Sequence, residues 1–94
     1  MPDPKEVSAI ARRKVAAGAV LLDVRTPQEF MAGHLEGAKN IPVQELQRRL
    51  DEVGPKSTPV VVYCAGGMRA AAACEVLRRS GFEDVFNLGA MSAW

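Results

Sequence analysis

Apolar positions change period several times along the chain, and each change marks an element. Val7, Ile10, Ala11 and Val15 recur at helical spacing behind Asp3-Pro4-Lys5-Glu6, where Asp can cap, Pro suits the first helical position and Glu can reach back. Gly18 ends this helix, and Ala19-Val20-Leu21-Leu22 is a continuous apolar run of the kind found in strands buried on both faces. Thr26-Pro27-Gln28-Glu29 repeats the capping logic and opens a short helix through Phe30 and Met31 that Gly33 stops. Ala38 to Ile41 reads as a short strand. After Pro42, one helix is predicted to present Val43, Leu46, Leu50 and Val53 on a single side until Gly54-Pro55 closes it. Pro59-Val60-Val61-Val62-Tyr63 is the strongest strand signal, apolar and β-branched, and it ends directly at Cys64. Ala70, Ala73, Cys74 and Leu77 then share one face of a helix from about Arg69 to Ser80, with Gly81 beyond it, and Asp84 to Leu88 reads as the last strand.

Strands alternating with helices over such short connections imply right-handed crossovers and an α/β fold, a mostly parallel sheet covered by helices on both faces. The 94 residues suit a single domain spanning 1–94, with one site. Hydrophobic residues at 48% and charged residues at 24% match a globular protein, and a formal charge of +1 gives no global pull toward nucleic acid. No apolar run approaches the roughly 20 residues of a membrane span, and the first residues lack the apolar centre of a signal peptide, so no membrane partner and a cytoplasmic location are expected. Two cysteines ten positions apart and one histidine form neither a disulfide framework nor a zinc spacing, and neither metal nor cofactor is expected. The basic clusters Arg12-Arg13-Lys14, Arg48-Arg49 and Arg78-Arg79 fall at non-core helix positions, as a solvated face requires.

The candidate chemistry lies at Cys64. Ligands of open α/β sheets bind beyond the carboxyl ends of strands, where loops lead into helix N-termini, and Cys64 stands at such a point. Ala65-Gly66-Gly67-Met68 is a loop whose glycines let the backbone curl with its N–H groups inward, making an anion cradle to which the following helix dipole adds. A thiol held there, with Arg69 five positions on as the nearby guanidinium, is expected to ionise more readily than a free one. Such a site suits a group transferred onto sulfur and off again, and a persulfide fits it, its outer sulfur held by the same N–H groups. Cys74, about six residues into the next helix and so ~9 Å along its axis from the loop, reads as core filler.

Together the segments Leu22-Asp23-Val24-Arg25-Thr26-Pro27-Gln28-Glu29-Phe30, Gly33-His34-Leu35-Glu36-Gly37-Ala38-Lys39-Asn40-Ile41-Pro42 and Cys64-Ala65-Gly66-Gly67-Met68-Arg69 resemble the rhodanese family of sulfurtransferases. The likeness resumes at Gly81-Phe82, from Val85 to Gly89 and at Trp94. The resemblance implies a sheet of about five parallel strands, a thiosulfate-like sulfur donor, and a persulfide on Cys64, delivered to cyanide, a small thiol or a protein thiol. Carried over by position, Cys64 is the nucleophile, the N–H groups from Ala65 through Gly66, Gly67 and Met68 to Arg69 bind the anion, and Arg69 steadies donor or persulfide. Asp23, Arg25, Glu29 and His34 are then scaffold, with Arg25 expected to pair a carboxylate such as Glu29.

The chain departs from the family pattern in places. Ala65 stands where relatives often carry a basic or polar residue. Ala90 replaces the second glycine of a terminal pair, and a short strand that often precedes the first helix is missing, which predicts a frayed sheet edge. A related group of phosphatases acting on cell-cycle kinases places an arginine after five intervening residues, and here that position is Ala70. The other alternative is an idle rhodanese-like module that binds a partner or senses redox state. Such modules commonly lose the cysteine that this chain keeps.

Overall fold

The computed structural model describes residues 2–94. Helix α1 (Pro4–Ala16) begins where Asp3 accepts the Glu6 N–H at 2.9 Å. Strand β1 (Val20–Asp23) follows, then α2 (Pro27–Ala32), whose capping box is complete between Thr26 and Glu29. Next come β2 (Lys39–Asn40), α3 (Val43–Leu46), a 3-10 turn at Leu50–Glu52, β3 (Val60–Cys64), α4 (Met68–Arg79), β4 (Val85–Ala90) and a last 3-10 turn at Met91–Ala93.

The sheet is parallel throughout, in the order β2-β1-β3-β4. Among the described residues it has four strands, where the family resemblance implied about five. The reason is local: Asp3 and Pro4 commit the chain to helix at once, so among the described residues no strand precedes α1, and β4 is left as an edge. The helix expected from Val43 to Val53 is also corrected. Arg49 leaves helical geometry at φ −121° and ψ 25°, which splits the segment into α3 and a 3-10 turn. Leu46 and Val53 are nonetheless buried, with Val43 and Leu50 packed against the same core. Periodicity reports which face is buried, and an α turn followed by a 3-10 turn satisfies it as well as one helix does.

Alternation along the central strands divides the interior into two layers. Leu21, Val61, Tyr63 and Leu88 pack under α1, around Ala11, while Leu22, Val60, Val62 and Cys64 face α4, against Ala70, Ala73, Cys74 and Leu77. At about 1.5–3 kcal/mol for each large apolar side chain taken from water, these layers supply the main favourable free energy of the fold. Near the site the β3–β4 register shifts: Val62 faces Asn87 but Tyr63 faces Gly89, so Leu88 is the extra residue. Gly89 absorbs the irregularity at φ +87°, a conformation costly for other residues, and the ladder resumes with Ala90 beside Cys64. The basic clusters find structural partners. Arg12 reaches the Trp94 carbonyl and ring, Lys14 pairs with Asp84, Arg49 with Glu45 and Glu52, and Arg78 donates to the Val85 carbonyl.

Candidate active site

Cys64 ends β3 at the carboxyl edge of the sheet, 1% exposed. The loop after it turns through Gly67, whose φ of +104° lies in the left-handed region that glycine adopts without penalty, and α4 starts at the next residue. This geometry brings the Gly67 N–H to 3.0 Å and the Ala70 N–H to 3.3 Å from the Cys64 Sγ. Ala70 belongs to the cradle, although the loop reading stopped at Arg69. The available signal was that the first turn of any helix has N–H groups without internal acceptors. The N–H groups of Ala65, Gly66, Met68 and Arg69 donate to no acceptor among the described residues. They belong to the loop and first helical turn that follow the sulfur, at the positive end of the α4 dipole. Ala65, Gly66 and Met68 are exposed, and among the described residues Met68 at 87% is one of two large apolar side chains so open, with Met31 of α2 at 83%.

Arg69 does not stand free. Its Nη1 donates to Glu29 Oε1 at 2.7 Å and its Nη2 to Glu29 Oε2 at 3.1 Å, a two-pronged pair about one-third exposed on each side. The Arg69 hydrogen bonds, followed by the Thr26 N–H, hold the Glu29 carboxyl well below the usual range, at about 2. The same bond, outweighing burial, holds Arg69 above the usual arginine value. Glu29 Oε1 also accepts the Thr26 N–H at 3.0 Å and hydroxyl at 3.1 Å, so the residue that caps α2 is the one that holds Arg69.

Arg25 therefore does not pair with Glu29, as the sequence had suggested. Its Nε lies 3.1 Å from both Asp23 oxygens, and its Nη2 donates to Asp23 Oδ2 and to the Gly33 carbonyl, each at 2.7 Å. Residues 23 and 25 share a side of extended chain, so the short pairing was open to β1 all along. Asp23 is fully buried, and the pair ties the end of β1 to the end of α2. Tyr63 lies beneath the Arg25 guanidinium and accepts the Leu35 N–H. Burial first, then the Asp23 carboxylate, push its phenol up to about 12. His34 is exposed, stacked on Phe30, with Nδ1 2.8 Å from the Phe30 carbonyl. Asp23, Arg25 and His34 thus bond within β1, α2 and the turn after it, whereas Glu29 reaches across to Arg69 of α4. Cys74 is buried in the α4 layer, and burial pushes its thiol up to about 11.

Residues 3–94 match the model of the Rhodanese-like domain family. An uncharacterized protein of Bacillus subtilis, YqhL, is 40% identical over 81% of this chain, which spans only 60% of that protein. Thiosulfate sulfurtransferase PspE of Escherichia coli is 37% identical over 74% of this chain and 68% of its own length. Among solved structures, the human single-domain sulfurtransferase TSTD1 superposes with a TM-score of 0.79 at 31% identity, covering 92% of this chain and 89% of that one. With a parallel sheet, a cysteine at a strand end, and a match running from the first helix to the last turn, this chain belongs to the rhodanese-like domain family.

Proposed function

We propose that the chain is a sulfurtransferase that takes sulfane sulfur from a thiosulfate-like donor, carries it as a persulfide on Cys64, and passes it to cyanide or a thiol. The Cys64 thiolate attacks the outer sulfur of thiosulfate. The bond between the two donor sulfurs breaks, and sulfite leaves with the electron pair while Cys64–S–S⁻ forms. Cyanide or a thiolate then attacks the outer sulfur, the persulfide bond breaks, and the Cys64 thiolate returns. Each half is a displacement at sulfur that balances without an external oxidant.

The observation that carries this reading is the convergence of backbone N–H groups on one sulfur. Gly67 and Ala70 both donate to Sγ, and the N–H groups of Ala65, Gly66, Met68 and Arg69 in the same loop and first turn have no acceptor among the described residues. In this reading a sulfur added to Sγ is held by these free loop N–H groups, preorganised donors that offset its negative charge without reorganisation. Exposed Met68 at the rim offers an apolar contact to whatever delivers or accepts the sulfur, a protein thiol included. A reducing compartment such as the cytoplasm suits a free thiol at Cys64.

The test is the intact mass of the protein before and after thiosulfate, beside a Cys64→Ser variant, followed by an assay for thiocyanate on adding cyanide. Gain of one sulfur that cyanide removes, absent from the serine variant, is the expected result. No gain at any donor concentration overturns the reading and leaves a binding module as the alternative to test.

A further inference from the structure

Arg25 and Arg69 are both already engaged. Arg25 is held by Asp23 and the Gly33 carbonyl, and Arg69 has both terminal nitrogens on Glu29. Ala65, directly after Cys64, supplies no charge. An anionic donor that needs Arg69 therefore meets an ion pair of zero net charge, with a carboxylate already on both terminal guanidinium nitrogens. From this we infer that Glu29 is a positioning residue that sets donor charge selectivity: it competes with the donor's anionic end for Arg69 and so disfavours dianions such as thiosulfate. The inference rests on the sulfurtransferase reading and deepens it.

Both sides of the pair are about one-third exposed, so the pair can open without burying a lone charge. Geometry at Thr26 supplies a clean variant. Glu29 Oε1 takes the two Thr26 bonds as well as Arg69 Nη1, whereas Oε2 takes only Arg69 Nη2. In Glu29→Gln the amide oxygen can keep the Thr26 contacts, since glutamine also serves in a capping box. Its NH2 group then faces Arg69 Nη2, donor against donor, so only the Nη1 bond to the amide oxygen remains, now to a neutral acceptor, and the guanidinium is freer to take an incoming anion. Because Arg69 holds the carboxyl down at about 2, Glu29 stays charged, and competing, at any ordinary assay pH.

A donor with a single negative charge, such as a small organic persulfide, depends less on Arg69 than thiosulfate does. The experiment measures direct binding of inorganic sulfate, and KM for thiosulfate and for a small organic persulfide, in the wild type, Glu29→Gln, and the double variant Glu29→Gln with Arg69→Gln. Melting curves check that each is folded. In Glu29→Gln, sulfate is expected to bind, and thiosulfate KM to fall, by roughly ten-fold in the tighter direction, the scale of one charge-assisted pair freed for a new partner. The persulfide KM should shift by no more than about two-fold, and the double variant should lose the gain, because the effect passes through Arg69. Unchanged or weaker sulfate binding in Glu29→Gln, equal shifts for both donors, or a gain that survives loss of Arg69 would each overturn the inference. Failure of every variant to take sulfur from any donor would instead count against the sulfurtransferase reading, while sulfate binding would still decide the role of Glu29.

Discussion

Removing the Arg25 side chain tests the buried pair beneath the site. Asp23 is fully buried, and in Arg25→Ala its carboxylate keeps, of its Arg25 bonds, only the backbone N–H of residue 25, 2.9 Å from Oδ1. The Nε and Nη2 donors vanish, and the Gly33 carbonyl loses its partner. Breaking a buried pair from one side leaves an uncompensated charge and costs about 3–5 kcal/mol, against about 0–1 for an exposed pair such as Lys14–Asp84. For a domain whose whole stability is of order 5–15 kcal/mol, that is a large share. Urea unfolding should show the midpoint lowered with little change in slope, and melting should fall by at least about 12 °C, at about 4 °C or more per kcal/mol. The double variant Asp23→Asn with Arg25→Ala should be more stable than Arg25→Ala alone, because the lone charge is gone. A loss below about 1 kcal/mol in Arg25→Ala, or no recovery in the double variant, would refute the reasoning.

Other expectations follow from single geometric facts. Gly67→Ala has open space for its methyl group, since no heavy atom lies within 4 Å, so its cost is the backbone one of about 1–2 kcal/mol for a left-handed residue. Any relaxation toward negative φ also turns the residue-67 N–H away from Sγ. Slower sulfur loading together with a lowered melting temperature is expected, and wild-type values for both would sink the account. At high pH, Cys74 at about 11 and Tyr63 at about 12 both titrate later in the fold than when unfolded, where 9.0 and 10.0 are the ordinary values. The unfolded chain therefore sheds these protons first, and stability should decline from about pH 9 and level off near pH 12, with Cys74→Ala lacking the earlier part of the fall. Glu29 has the opposite sign. Its contribution is present above its ordinary value of 4.5 and is lost as pH falls toward 2, which acid melts of wild type against Glu29→Gln should resolve.

Periodicity and capping, both local properties, determined most of the architecture from sequence alone. The Asp3 and Thr26 caps, the apolar runs ending at Asp23 and Cys64, and the glycine loop before an alanine-rich helix each follow from residues within a few positions of one another. They sufficed to name the parallel α/β class, the helices on both faces, and the place of Cys64 at a strand end. Tertiary structure decided what depended on distant partners. Glu29 and Arg69 lie 40 positions apart, and only the tertiary fold brings them within hydrogen-bond distance. The strand number depended on how the chain enters the sheet, and the split after α3 on backbone torsions that a shared buried face does not report. Burial and short-range hydrogen bonding leave a pattern in neighbouring residues. An ion pair closed across the fold leaves none, and here that pair joins Glu29 of α2 to Arg69 of α4.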